Sequence, residues 1–470
     1  MKILIFGTGK FYQERKRQIP SNVEVVAFLD NNSAIQGKCI DGKPVIAPCK
    51  VGEIDYDKIL IMSMSENAMK SQLVELGVER KNILFWEQTY GAANQGIFKL
   101  YCGNSNIAEF KKKILIISTN LDYNGGTIAA FYAAKVLQER GNYVVLAAPD
   151  GNQIFINEVL ECGINIVICP ALTCMGREVL FWVKQFEVVL VNVFQMALCA
   201  LEIIEVKPVL WWLHEPKEFY EKTIARFHDL MSKERLEAID IYAVSDVAQR
   251  NFNFYFPDQM IGVLPYGIPD QKSGKVNSEE GKLVFAIIGA VCPIKAQDIF
   301  IKAVRLLKAD ERRNMQFWII GYVGEDAYSI RVKEAALGDE SIKIIGKLSR
   351  SEIQDAYGEI DVVVCPSLED SLPIVVAEGM MHEKVCIVSD KTGCAKYVKN
   401  REDGLICRAG IPEDLCEQMK WIIQNRRQMP EIGRRARQLY KQKFSLDKMG
   451  ENLEAALQKT MDNWNYNHCL

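Results

Sequence analysis

Short, continuous apolar runs alternate along the chain with longer segments in which apolar residues return every three or four positions. Over residues 1–90 the runs are KILIFG, VEVVAFLD, DKILIMS and NILFW, with a helix predicted over Glu66–Leu76. Apolar runs without a polar face, separated by helical segments, are the pattern of a parallel sheet covered on both sides. Residues 1–90 are therefore predicted to form a small Rossmann-like module. Residues 91–112, GAANQGIFKLYCGNSNIAEFKK, carry no period and are read as a linker.

The same alternation restarts at residue 113. KILIISTN, YVVLAAPD, INIVICP, VVLVNV, PVLWWLH and IYAVS are predicted strands of a second module over 113–270. Its first helix, IAAFYAAKVLQERG, follows the glycine pair Gly125-Gly126. A polar stretch, PDQKSGKVNSEEGK, precedes a third module over 282–440. There LVFAIIGA, MQFWIIGY, SIKIIGK, VVVCPS, VCIVSD and GLICR are six predicted strands. Residues 441–470 are charged and predicted to be a C-terminal helix. The fold class is α/β: two large parallel-sheet domains with a cleft between them, preceded by a smaller third. In open α/β sheets ligands lie beyond the carboxyl ends of the strands, which directs attention there.

Composition narrows the function classes. The chain of 470 residues is 49% apolar and 25% charged with a formal net charge of −3, so no nucleic-acid partner is expected. The run VVLVNVFQMALCALEIIEV is interrupted by Asn192, Gln195 and Glu202 and reads as a strand and a helix instead of a membrane span. MKILIFGTGK is too short in its apolar part for a signal peptide and reads as a first strand. Fourteen cysteines without a Cys-x-x-Cys pair, in a chain read as unsecreted, imply reduced thiols and a cytoplasmic location. The four histidines have no acid or cysteine at ligand spacing, so no metal site is expected.

The strongest chemical signal is SLEDSLPIVVAEGM, residues 367–380. An apolar strand ends at Cys365-Pro366 and gives way to two acids, Glu369 and Asp370. A proline-led apolar helix follows and carries a third acid, Glu378. A packed core has no use for these carboxylates. The amides of the helix start suit a phosphate, with Ser371 or Asp370 expected to help cap it. Glu378 can accept two hydrogen bonds from a ribose diol. Lys295 opens the helix after GAVCPIK and can neutralise a diphosphate leaving group, although taken alone it reads better as a solvated surface lysine.

Taken in order, these segments resemble the donor-binding domain of retaining GT-B glycosyltransferases of family 4, over residues 283–407. Asp370 stands eight residues before Glu378, as the paired acids of that family do. GAVCPIKAQDIFIKAV and IKIIGKLSRSEIQDAYGEIDVVVCPS are also similar. LDYNGGTIAAFYAAKVLQERG, VLWWLHEP, YAVS and LPYGI match the family's first half, so the resemblance runs from about 113 to 440. It implies the GT-B architecture of two Rossmann-like domains and transfer of a sugar, with retention and without a metal, from a UDP- or GDP-sugar. No cofactor is required. By the resemblance, Lys295 binds the donor phosphates and Glu378 the ribose. Asp370 with Glu369, Ser371, Leu372 and Pro373 holds the transferred sugar, Gly125 and Gly126 admit the diphosphate, and His214 contacts the sugar. It implies a glycan or lipid-linked acceptor in cell-surface glycan synthesis, with FKKK at 110–113 supporting a peripheral visit to the inner membrane face. Two positions depart from the pattern: Ala290 stands where the family has an arginine, and Lys396 where many members have an acid.

Two other readings stay open. GTGKFY gives Gly7-x-Gly9, with Tyr12 at the third glycine position and Asp30 at the end of the second strand, which admits an NAD(P)-linked oxidoreductase or epimerase working through residues 1–90. The loss of the arginine at Ala290 admits a noncatalytic sugar-nucleotide binding protein. Asp55-Tyr56-Asp57 precedes a strand instead of ending one and reads as a solvated turn.

Overall fold

The computed structural model describes residues 1–468 apart from 20–22, 64, 87–89, 92, 93, 95, 104–108, 176 and 272–281. The polar stretch between the second and third modules thus lies largely outside the described residues. Three sheets carry the chain. The first contains β1 (Lys2–Phe6), β2 (Glu24–Leu29), β3 (Cys39–Ile40), β4 (Lys43–Ile46), β5 (Lys58–Ile61) and β6 (Ile83–Phe85), in the order β3-β4-β2-β1-β5-β6. The β3–β4 hairpin turns at Asp41-Gly42, both with positive φ, the backbone that an Asp-Gly pair favours in a tight hairpin.

The second sheet has eight strands: β7 (Lys99–Tyr101), β8 (Lys113–Ile117), β9 (Tyr143–Ala148), β10 (Asn165–Ile168), β11 (Val188–Asn192), β12 (Val209–Leu213), β13 (Asp240–Ala243) and β14 (Gly262–Val263). Their order is β14-β13-β12-β11-β8-β9-β10-β7. β7 corrects the reading of residues 91–112 as linker alone, because it pairs antiparallel with the edge strand β10. Its short, mostly exposed run gave no periodic signal. The following Phe110 packs its ring on Tyr143, so the FKKK segment is folded against this sheet.

The third sheet is wholly parallel, with β15 (Leu283–Ile288), β16 (Met315–Ile320), β17 (Ile342–Gly346), β18 (Val362–Cys365), β19 (Val385–Ser389) and β20 (Leu405–Cys407) in the order β17-β16-β15-β18-β19-β20. Every side chain of β15, β18 and β19 is buried, as expected of strands covered on both faces.

The last helix, Leu446–His468, leaves the third module and packs on the second. Met449, Leu453 and Leu457 are buried, and Arg140 pairs with Glu454 at 2.7 Å. Gly450 permits the close crossing, since a Cβ there would stand 2.6 Å from Val136. Among the described residues no helix is long and apolar enough to cross a membrane, and every cysteine is a free thiol.

Candidate functional site

Three neighbouring strands of the third sheet, β15, β18 and β19, end side by side, and their loops are knitted together. The Leu368 amide donates to the Ile294 carbonyl at 2.8 Å, and the Ser389 hydroxyl to the Ser367 carbonyl at 2.6 Å. The Asp370 amide donates to Lys391, and Gly393 donates back to the Asp370 carbonyl. This lacing brings Lys295 and Asp370, which are 75 residues apart, into an ion pair of 2.5 Å. Burial opposes the Lys295 charge, but the Asp370 carboxylate outweighs it and the ammonium is held above its ordinary range. The Lys295 stem passes Gly289, where a Cβ would lie 4.0 Å from its methylenes.

The helix after β18 runs Ile374–Met381, with Pro373 as its N-cap and no side-chain hydrogen bond at that cap. The expected capping by Ser371 or Asp370 is therefore corrected: Asp370 is drawn to Lys295, and the buried Ser371 hydroxyl has no hydrogen-bond partner among the described residues. The amides of the first turn have no side-chain competitor. Glu378, half-buried on that helix, accepts a 2.9 Å hydrogen bond from Tyr357, a fully buried tyrosine on the helix Arg350–Glu359. Tyr357 stacks on His382, which bonds Gln354 at 2.9 Å.

The second sheet faces these loops with its own carboxyl ends. Gly125 and Gly126 open the helix Gly125–Glu139, capped by Asn124 accepting from the Thr127 amide at 2.9 Å. A Cβ on Gly126 would meet Val193 at 2.9 Å, and its carbonyl accepts from Asn192. The pair thus serves close packing against the end of β11, while Gly125 faces open space. Val193 itself has φ 71°, a strained setting for a β-branched residue.

His214 follows β12. Its buried Nε2 has no hydrogen-bond partner among the described residues, and its ring lies 6.1 Å from and nearly parallel to Tyr266. Burial pushes the imidazole down to about 3, so it is neutral at physiological pH. Glu215 beside it is also buried. Burial pushes its carboxyl up to about 7, against the pull of backbone amides that include Phe194 and His214.

Three contacts close the two halves onto each other. The Tyr266 hydroxyl donates to the Leu372 carbonyl, and Asn251 donates to Glu369 at 2.8 Å. Gly393 lies against Ser245 and the Ser371 carbonyl, and a Cβ there would come within 1.9 Å of that oxygen. Between the halves a cavity of about 320 Å³ is lined by Pro216, Lys217, Glu221, Ile294 and Glu369. Lys217 rests over the Phe254 ring at 3.2 Å and supplies a cation from the opposite wall.

The residues that the resemblance assigns to the donor site thus lie at or just past the carboxyl ends of the facing sheets, with Glu378 on the helix that follows β18. Tyr357, Tyr266, Asn251, Lys217 and Gly393 were not singled out. Only Gly393, an isolated glycine just past a buried strand, carried a local signal. The N-terminal Gly7-x-Gly9 loop differs from a dinucleotide site. Asp30 accepts from the Thr8 amide and hydroxyl at 3.1 and 2.6 Å and from the Asn32 amide at 2.9 Å, which commits both carboxylate oxygens to its own loops. Asp55 pairs with Lys2 at 2.7 Å, in keeping with a surface turn.

Comparison with known proteins follows this division of the chain. Residues 270–439 match the family model "Glycosyl transferases group 1", and residues 1–84 match "C2185-like, N-terminal". Two sequence relatives stand out. The N,N'-diacetylbacillosaminyl-diphospho-undecaprenol alpha-1,3-N-acetylgalactosaminyltransferase of Campylobacter jejuni is 28% identical over 90 residues, 19% of this chain and 24% of that one. The D-inositol 3-phosphate glycosyltransferase of Nocardia farcinica is 22% identical over 164 residues, 33% and 36% of the two chains. The chain thus spans well under half the length of these relatives. Among solved structures, Anabaena Alr3699/HepE in complex with UDP and glucose superposes with a TM-score of 0.62 at 14% identity, over 74% of this chain and all of that one. A Rickettsia africae glycosyltransferase gives 0.63 at 17% identity, over 75% and 99%. The fold is that of the GT-B glycosyltransferases.

Proposed function

We propose that the protein is a glycosyltransferase that moves a sugar from a nucleotide-sugar donor to an acceptor hydroxyl, with retention of configuration and without a metal. The observation that carries this reading is the convergence of Lys295, Asp370 and Glu378 on one set of strand ends, facing His214 across the cleft. In this reading the donor diphosphate lies between Lys295 and the amides at the start of Ile374–Met381, which stabilise the charge on the departing diphosphate. Lys217 adds the second cation that Ala290 does not provide. Glu378, oriented by Tyr357, takes the ribose hydroxyls. Asp370, Ser371 and the neutral His214 hold the sugar, with Glu369, Leu372 and Pro373 shaping its pocket, and the Gly125-Gly126 turn admits the diphosphate from the other side. The acceptor hydroxyl enters from the second module, and its proton passes to the leaving oxygen.

UDP-sugars lead among the candidate donors because the Anabaena structure holds UDP, with GDP-sugars kept in the test. The Campylobacter relative's name contains a diphospho-undecaprenol acceptor, which supports a lipid-linked glycan acceptor in cell-surface glycan synthesis. The proposed location is the cytoplasm, with peripheral contact at the inner membrane face.

The test is the melting temperature of the full chain with UDP, GDP, ADP and NAD, before and after Lys295→Ala. At a hundred times its Kd a ligand stabilises by about 2.7 kcal/mol, a readable shift. One nucleoside diphosphate should raise the melting point of the native protein and not of the variant. A shift with NAD alone, untouched by Lys295→Ala, would move the chemistry to residues 1–90.

A further inference from the structure

A second cavity, of about 360 Å³, lies apart from the donor cleft and is shared by two modules. One wall comes from the small N-terminal module: Phe11, just past β1, with Ser63 and Glu66, just past β5. The other comes from the second module: Asn120 past β8, Pro149 past β9 and Gln195 past β11. The carboxyl ends of two parallel sheets therefore face each other across one chamber. In a parallel α/β sheet that is the ligand-binding edge.

The arrangement is fastened in place. Glu66 forms an ion pair with Arg226, both largely buried, and Lys70 donates to the Ala225 carbonyl at 3.1 Å. Both contacts grip the helix Tyr220–Phe227. That helix and the turn before it divide the two cavities: Lys217 and Glu221 line the donor cleft, while Phe219, Thr223 and Phe227 line the chamber. On the other side the chamber reaches the glycine turn, because Asn120 accepts from Asn124, the residue capping the helix that begins at Gly125.

We infer that this chamber is the acceptor site and that the N-terminal module forms part of it. The lining identifies the ligand class. Neutral hydroxyl and amide side chains, such as Ser63, Asn120, Thr173 and Gln195, alternate with the aromatic faces of Phe11, Phe219 and Phe227. Neutral donors and acceptors beside flat apolar faces suit the hydroxyls and C–H faces of a saccharide. Among the charged lining residues Glu66 and Arg226 balance each other as an ion pair, and Lys222 adds one cation at the wall. The occupant is a saccharide unit of the acceptor, and residues 1–84 act as a specificity module. This assignment rests on the transferase reading above.

The experiment is saturation-transfer NMR on the full chain with the methyl glycosides of glucose, galactose and N-acetylglucosamine. It is repeated for Phe11→Ala, which removes an aromatic face, and for Ser63→Trp, which fills the space from the same module. Melting with UDP, GDP and ADP is measured on all three proteins, which also reports that the variants are folded. At least one glycoside should contact the native protein and bind about ten-fold more weakly to both variants, with the nucleotide shift unchanged. The inference is overturned if no glycoside contacts the native protein, or if both variants bind it undiminished. Glycoside binding lost in the variants, with no nucleotide shift in any protein, would keep the chamber as a saccharide site and remove the transferase reading instead.

Discussion

Lys295 and Asp370 form a 2.5 Å ion pair at the mouth of the third sheet, with side chains only 33% and 13% exposed. The aspartate thus engages the same ammonium that the proposed mechanism assigns to the diphosphate. The two residues should then respond differently to substitution. Lys295→Ala removes a charge-assisted contact and should weaken nucleoside diphosphate binding about ten- to a hundred-fold. Asp370→Asn frees the lysine and removes a repelling carboxylate. It should bind the bare diphosphate about three-fold more tightly while losing sugar transfer. Calorimetric titration of both variants, alongside a transfer assay, checks the pair. Equal weakening in both would show that Asp370 positions the lysine instead of competing for it.

His214 and Glu215 make a second neighbouring pair, and their protons move in opposite directions. His214 is pushed down to about 3 and Glu215 up to about 7, both chiefly by burial. On acidification below about 6.5 the unfolded chain protonates His214 and the native one does not, so stability falls. Glu215 has the reverse sign. Its contribution is complete below about 4.5 and is lost as pH rises through 7. Between about 4.5 and 6.5 the two slopes oppose each other and these sites together leave stability nearly flat. Glu215→Gln should unmask the histidine, making the variant lose stability relative to the native protein by up to about 1.4 kcal/mol per pH unit toward acid. Urea midpoints from pH 4.5 to 7.5 measure this. Parallel curves for the two proteins would contradict it.

How much of this was legible depends on the distance over which each feature is determined. All six strands of the third sheet were legible because buried parallel strands are unbroken apolar runs. The Asp370-to-Glu378 spacing was legible because both residues belong to one loop and one helix. β3, β4, β7 and β14 were not, being too short to establish a period. Tyr357 and Tyr266 were hidden for another reason. Nothing local distinguishes a tyrosine that packs from one that orients a carboxylate 21 residues away or a carbonyl in another module. The shared chamber was equally invisible, since it depends on how residues 1–84 dock on the second sheet.

Gly393 shows the same long-range dependence in a single atom. Its missing Cβ would lie 1.9 Å from the Ser371 carbonyl and 2.4 Å from Ser245 of the facing module. The first contact is with backbone, so the neighbour cannot step aside by rotating a side chain. Gly393→Ala should cost about 1–3 kcal/mol, seen as a lower urea midpoint. It should also push the Glu369–Pro373 loop outward and weaken donor binding, whereas Gly125→Ala, facing open space, should leave the fold's stability within about 0.5–1 kcal/mol. An unchanged midpoint in Gly393→Ala would mean that the two modules part freely at this point.

The remaining prediction concerns the base of the Glu378 carboxylate. Tyr357 donates to it at 2.9 Å and also lies 3.3 Å from the Val375 carbonyl, on the helix that carries Glu378. Tyr357→Phe keeps the buried ring and its stack on His382 but removes that hydroxyl, for a stability cost of about 1 kcal/mol. If the hydroxyl only filled space, nucleotide binding would be unaltered. If it orients Glu378 toward a ribose diol, the variant should lose discrimination between a nucleoside diphosphate and its 2′-deoxy counterpart. The native protein should prefer the ribose form about ten-fold, by one charge-assisted hydrogen bond, and Tyr357→Phe should bring the ratio close to unity. Titrating both nucleotides into both proteins gives the ratio directly. An undiminished preference in the variant would leave Tyr357 as a packing residue and require another partner to fix the carboxylate.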